Sequence, residues 1–335
     1  VDPLLNAFGR LTKDSPAIDT GNSSILVGFD LAYVDADGLY REKDGNQNDF
    51  ITIDIGAFEY GVLSRQFIND GSASTPSRIE FSDESLNLSP HLKGLHVTHQ
   101  FNIDGGSIGA HNADSFESDY YVVSGRWGIH NVSGISVALD SVFNVMNIFK
   151  TYTSFEHQQT GAGNFSIINK TGLNNNQNKI LQVLQYYDTI SPVSNPHTLG
   201  VNYLDFNNRW LIQNFDFQLI PLDTKFHVYY QDESFSAWKH IVNLNNIHPT
   251  LDFATVLDHR LLNGNSCAQI QVTQSAENGV FNDSPIGVRY DNSIGMWSIY
   301  NENTIDMPVN ASFHVMINPA QIEQCTDLIY QSSFD

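Results

Sequence analysis

Residues 297–315 read WSIYNENTIDMPVNASFHV, and the same pattern stands twice earlier in the chain. Trp127 opens WGIHNVSGISVALDSVFNV, and Trp210 opens WLIQNFDFQLIPLDTKFHV. In each copy Ile follows the Trp by two residues (Ile129, Ile212, Ile299) and Asn by four (Asn131, Asn214, Asn301). Phe follows by sixteen (Phe143, Phe226, Phe313) and Val by eighteen (Val145, Val228, Val315). A Tyr precedes each Trp by seven: Tyr120, Tyr203 and Tyr290. Six matched positions at fixed offsets, three times over, mark an internal triplication, and that decides the architecture.

Inside a copy the periodicity is two. FHVYY, SFHVMIN and QIQVTQ alternate or run apolar as strands do, and no helical period is sustained. Trp and Ile, two apart, lie on one face of a strand and enter a core. The Asn at the strand end ties the following turn, and Phe and Val lie on a strand that pairs back. A sugar-stacking platform is the competing role for the three Trp. Core packing is favoured, because each keeps its distance from other core-type positions. The predicted fold is all-β, with three tandem antiparallel β-sandwich modules over residues 86–150, 151–235 and 236–320. Residues 63–85, with the small-polar run NDGSASTPS, read as a linker, and 321–335 as a C-terminal tail.

Composition sets the outer bounds. The chain has 335 residues, 14 Tyr, 21 Phe and a formal charge of −21. That acidity, with no basic stripe, argues against binding nucleic acid or an anionic membrane by charge. No apolar run reaches the ~18 residues of a membrane span. Cys267 and Cys325 are the two cysteines. They lack zinc-type spacing and are expected to pair in an oxidising exterior. The chain begins with Val1, as expected where a leader has been removed or where this is a piece of a longer protein.

Residues 1–62 carry SPAIDTG (15–21), D-x-D-G-x-x-R (35–41) and DIGAFEYG (54–61). Gly21 and Gly56 suit turns with positive φ, and Asp19 suits an Asx turn. Asp35, Asp37, Asp44 and Asp49, with Asn46 and Asn48 between them, pose a choice. They form either a calcium site built from several oxygen ligands or a solvated turn pinned by an Arg41–carboxylate pair. These three motifs, in this order, resemble the C-terminal end of secreted bacterial right-handed parallel β-helix proteins. The resemblance implies that residues 1–62 close a β-helix whose earlier coils are missing. The open first coil, with Leu4, Leu5, Phe8 and Leu11, is expected to take up a tail such as DLIYQSSFD (327–335) from a second copy in a filament.

The triplicated segment resembles an uncharacterised β-domain of secreted bacterial proteins, marked by Y-x6-W-x-I-x-N and then F-x-V. It covers residues 90–320, implies secretion, and brings no activity with it. GxSxG, HExxH, Walker and Rossmann patterns are absent. His99, His157 and His259 stand near the starts of the modules, and satisfied structural histidines are favoured over metal ligands there. The expected function is a non-enzymatic, extracellular or cell-surface structural or adhesion protein, with self-association, another surface protein or a glycan as the expected partners. A carbohydrate-binding array and a fragment of a β-helix polysaccharide-degrading enzyme are the alternatives. No cofactor other than calcium is expected.

Overall fold

Across each Trp the chain forms the same hairpin. In the computed structural model Tyr120, Tyr203 and Tyr290 are the direct ladder partners of Trp127, Trp210 and Trp297. The ring pairs lie 5.4, 5.3 and 5.6 Å apart, all edge-on. Three backbone positions repeat as well. Residues two before, seven after and thirteen after the Trp have positive φ in every copy: Gly125, Gly134 and Asp140; Asn208, Phe217 and Asp223; Gly295, Thr304 and Asn310. Left-handed backbone is uncommon outside glycine, so its recurrence at Phe217 and Thr304 shows one loop design used three times. The structure describes residues 2–5, 11, 14–26, 35, 41, 52–57, 59, 64–69, 71, 76–81, 93–102, 109–149, 153–188, 192–317 and 329–331.

The first sandwich holds β1 (Ser64–Ile68), β2 (Arg78–Glu80), β3 (Lys93–Gln100), β4 (Phe116–Tyr121), β5 (Arg126–Asn131) and β6 (Val142–Phe149). The second holds β7 (Ser154–Gln158), β8 (Phe165–Ile167), β9 (Lys179–Tyr187), β10 (Leu199–Leu204), β11 (Arg209–Asn214) and β12 (Lys225–Asp232). The third holds β13 (Ala237–Ile241), β14 (Ile247–His248), β15 (Leu251–Leu257), β16 (Ile270–Ser275), β17 (Ile286–Asp291), β18 (Met296–Asn301) and β19 (Ser312–Ile317). In each, an antiparallel triplet centred on the Phe strand (β1-β6-β3, β7-β12-β9, β13-β19-β16) faces one centred on the Trp strand (β2-β5-β4, β8-β11-β10, β15-β18-β17). Between the triplets lie three separate apolar cores, each with its own fully buried Trp.

The sheets do not stop at the module boundaries. The inner strand of each sandwich pairs in parallel with the Tyr strand of another: β3 with β17, β9 with β4, and β16 with β10. The result is three open, mixed sheets, in place of the purely antiparallel modules expected from the repeat. The order is cyclic: sandwich one joins three, two joins one, three joins two. The inner strands β3, β9 and β16 also contact one another. A short apolar cluster gathers Met146, Tyr229 and Met316, equivalent residues of the three Phe strands, with Ile180 and Ala237. A linear chain has closed into a ring with approximate threefold symmetry.

Two other expectations change. Residues 63–85 contain β1 and β2, which complete the first sandwich; the polar run read as a linker joins these two short strands. Among the described residues of 1–62 no coil of parallel strands forms. What is seen there is a 3₁₀ turn at Ser23–Leu26 and contacts between the SPAIDTG and DIGAFEYG motifs. Gly21 N–H donates to Ile53 O and Ile55 N–H to Ala17 O, at 2.8 and 2.9 Å. Positive φ falls on Asp19 and Gly56. Gly21 is instead a close-approach site, where a Cβ would sit 2.6 Å from Ile53 O. The tail strand β20 (Ile329–Gln331) pairs in parallel with β1 of its own chain, which gives that segment a partner in cis.

Candidate functional site

Where the three inner strands converge there is a cavity of about 110 Å³. Its wall is built from equivalent residues of all three sandwiches: Val97, Val183 and Val272, with His99, Gln185 and Gln274 one step along. The reason lies in the Phe strands. Phe and Val, at offsets sixteen and eighteen, turn into the sandwich core, so the residue between them turns out toward the centre. That residue is Asn144, His227 or His314, and each reaches the neighbouring inner strand. Leu95 N–H donates to His227 Nδ1 (3.2 Å) and Leu181 N–H to His314 Nδ1 (3.0 Å). Asn144 Nδ2 donates to Ile270 O at 3.4 Å. Leu95, Leu181 and Ile270 are themselves equivalent positions. The imidazoles also lie edge-on to the next Trp, His227 to Trp127 and His314 to Trp210, at 5.6 and 5.4 Å. Gly94 makes room for this, since a Cβ there would meet the His227 ring at 2.7 Å.

His96 bridges the first and third sandwiches, with Nδ1 2.8 Å from Gln271 Oε1 and Nε2 3.1 Å from Thr273 Oγ1. Burial depresses its pKa to about 4, outweighing the opposing effects of Gln271 and the Val183 backbone. Thr273 Oγ1 in turn donates to Gln182 Oε1 at 3.1 Å, so one network joins all three sandwiches. Glu302 is almost fully buried at the junction of the first and third sandwiches. Its carboxylate accepts from Asn112 N–H (2.9 Å) and Tyr300 O–H (2.8 Å), and is paired with His99 and, at 3.4 Å, His111. Burial alone would push this carboxyl up; His99, His111 and the Asn112 amide outweigh it and hold it below its ordinary value. The same burial, with the Glu302 charge beside it, pushes Tyr300 well up. Each ionisable wall residue is bonded to another protein group: His96 and Glu302 across the first and third sandwiches, Asp114 to Ser133 and His99 to Asn112 within the first.

The residues picked out from the repeat lie elsewhere, in the three cores. Trp210 and Trp297 also donate their indole N–H to Asn176 O and Asn265 O, at 2.8 and 2.7 Å. Asn214 and Asn301 donate to Gln218 O and Ile305 O, four residues on, which ties the loop as expected. The three histidines at the module starts are not equivalent: His99 is on β3 and His157 on β7, while His259 follows β15. His157 bonds Ser166 Oγ at 2.7 Å. His259 stacks on Trp238 at 4.3 Å. The centre-facing Asn144, His227 and His314 were missed, although a polar residue always stands between the repeated Phe and Val.

Of the calcium candidates, Asp37, Asp44 and Asp49 lie outside the described residues. Asp35 is buried and accepts Glu59 N–H at 3.1 Å. Arg41 pairs with Glu59 at 2.8 Å and also donates to Gly56 O and Ala57 O. Among the described residues no cluster of three or more metal-type side chains is found. Cys267 is disulfide-bonded, and its expected partner Cys325 lies outside the described residues. Among the described residues no helix is long and apolar enough to cross a membrane.

The loop after the Trp strand carries the other repeated feature. Leu139, Leu222 and Val309, each twelve residues after the Trp, are exposed. So are Ile135, Leu219 and Ile305, at offsets eight, nine and eight. Phe217 (54% exposed) stands beside them in the second sandwich, its ring 4.8 Å from Phe281.

A family model described as a domain of unknown function (DUF7452) matches residues 118–207 and 200–317. Together these span 118–317, or 200 of 335 residues, and the chain belongs to that family. The matches start in the Tyr strand of one sandwich and run into the next, cutting across the structural units. No curated protein and no solved structure matches the chain.

Proposed function

We propose that this member of the family is a non-enzymatic extracellular or cell-surface binding module, a ring of three β-sandwiches that displays apolar loop tips for adhesion. The observation that carries the reading is the recurrence of exposed Leu139, Leu222 and Val309 at one position of one loop. A single exposed apolar side chain is ordinary, but three at one repeated loop position would offer a multivalent contact. In this reading the N-terminal residues are the closing end of a β-helix that carries the ring. The mutual packing of SPAIDTG and DIGAFE, with Ala17, Ile18 and Ile53 buried, supports it.

The test is retention of the purified chain on alkyl-coated and polysaccharide-coated surfaces. The triple variant Leu139→Ser/Leu222→Ser/Val309→Ser is expected to lower retention about 100-fold, far more than any single change, because avidity multiplies weak contacts. Unchanged retention on both surfaces overturns the adhesion reading. A second reading, carbohydrate binding, is favoured by Phe206 (84% exposed) and by Phe217 against Phe281. Loss of polysaccharide retention in Phe217→Ser, with the triple variant unaffected, decides for it.

A further inference from the structure

Two of the three joints in the ring are tethered by the chain. Residues 150–153 link β6 to β7, and residues 233–236 link β12 to β13. The third joint, between the first and last sandwiches, has no such short link; the chain beyond the third sandwich returns to the first only through the tail strand β20, which pairs with β1 and travels with the third sandwich. This is the joint that holds Glu302. At the tethered joints the equivalent position, five residues after the Trp, is Val132 or Phe215.

The open joint is rich in polar contacts, with aromatic ones beside them: Phe101 lies edge-on to Tyr300 at 6.0 Å, and the Arg289 guanidinium stands over the Phe101 ring at 5.1 Å. β3 and β17 share a short parallel register, His99 with Gly287 and Gln100 with Val288. Phe101 N–H donates to Val288 O at 2.9 Å. Val272 N–H donates to Thr98 Oγ1 at 3.0 Å, and Gln271 Nε2 donates to Asn144 O at 3.1 Å. Glu302 is bonded across the joint by His99 and Asn112, and from its own side by Tyr300. A sandwich core cannot open without exposing a Trp and its apolar neighbours. This joint can open mainly at the expense of hydrogen bonds, which water partly replaces, and of a few aromatic contacts.

We propose that Glu302 is the clasp of the ring, and that the surface it closes on the first sandwich is an exchangeable docking site for the third sandwich of a second copy of this chain. The occupant is defined by the structure itself, because the third sandwich already sits there in cis. Every contact it makes is between side chains and strand edges that an identical sandwich offers in trans. Exchange therefore needs no new surface, only release of the joint and a free third sandwich.

The experiment uses the full chain with a protease site inserted after Glu233, in the exposed link before β13. Light and heavy-isotope copies are cleaved, mixed, and followed by native mass spectrometry. The cleaved chain is expected to stay one particle and to form mixed particles with time. Glu302→Ala is expected to speed mixing by roughly 10- to 100-fold, through loss of hydrogen bonds to a charged group. If the alanine variant fails to fold, Glu302→Gln, which keeps the shape and removes the charge, is expected to mix faster than wild type as well. Mixing at the wild-type rate in the variant that folds overturns the clasp. Dissociation of the cleaved wild-type chain into separate fragments, or no mixed particles in any form, overturns the docking site.

Discussion

The sandwich cores and the central junction are built from opposite faces of the same strands, and they follow opposite rules. On the core face β6, β12 and β19 place Phe and Val in every copy, and these are fully buried. On the central face the same strands place Asn144 and Met146, His227 and Tyr229, His314 and Met316. The core face repeats because an apolar interior accepts few shapes around a Trp. At the centre the contact persists while the chemistry changes: an imidazole nitrogen twice accepts the N–H that a carboxamide replaces by donating to a carbonyl. The difference teaches that the sandwiches are the stability of this molecule and the junction is its specificity, since buried polar groups fix arrangement better than they add free energy.

The comparison breaks first at the Trp. Trp210→Ala or Trp297→Ala is expected to cost about 3–5 kcal/mol by denaturant unfolding, from the cavity and the lost indole hydrogen bond. A loss below about 1 kcal/mol would remove the core from its place as the source of stability.

Acid should act on the junction over the same range as on the sandwich edges, where burial also depresses His157 and His240 to about 4. His96 is depressed to about 4 in the folded chain, against about 6.5 when unfolded, so the unfolded chain binds the extra proton between these values. Its contribution is complete above pH ~6.5 and is lost as the pH falls toward ~4, about 3 kcal/mol in all. His96→Gln places the side chain already present at the equivalent Gln182 and Gln271. Its unfolding free energy should fall less over that pH window, and an unchanged slope would assign the acid sensitivity to other groups.

A smaller effect belongs to the loop ties. Asn214 and Asn195 exchange two amide hydrogen bonds, at 2.7 and 3.0 Å, within a buried site. Asn214→Ala should cost about 1–3 kcal/mol, as the partner amide is left without them. Thermal unfolding of the variant within a degree of wild type would count against this. Smallest of all, Leu222→Ser at a loop tip should change stability by less than about 0.5 kcal/mol while weakening surface retention. A large stability loss there would turn the exposed tip into a structural residue.

Much of the core was legible in the sequence. Trp, Ile, Phe and Val at fixed offsets with a period of two announce strands that share one face, and the Tyr seven residues earlier places the hairpin turn. The candidate site was not legible from the same signal. Its residues come from β3, β9 and β16, whose spacing to the Trp varies with loop length. Histidines that looked equivalent along the chain therefore stand on different strands. The polar residue between each Phe and Val was visible, but nothing local says what an outward-facing residue will meet.

The sequence by itself determined three β-sandwiches, their cores, and the loop that ties each Trp strand, because local pattern and burial are short-range properties of a strand. Only the tertiary structure decided that the sandwiches share sheets in cyclic order. It alone decided that Asn144, His227 and His314 turn away from the cores toward the neighbouring sandwiches, and that Glu302 is bonded across the joint between the first and last sandwiches. Parallel pairing between an inner strand and a distant Tyr strand is set by which edges remain open once each sandwich has formed. That choice joins residues as far apart as His99 and Gly287. It depends on three-dimensional closure, which no window of sequence contains.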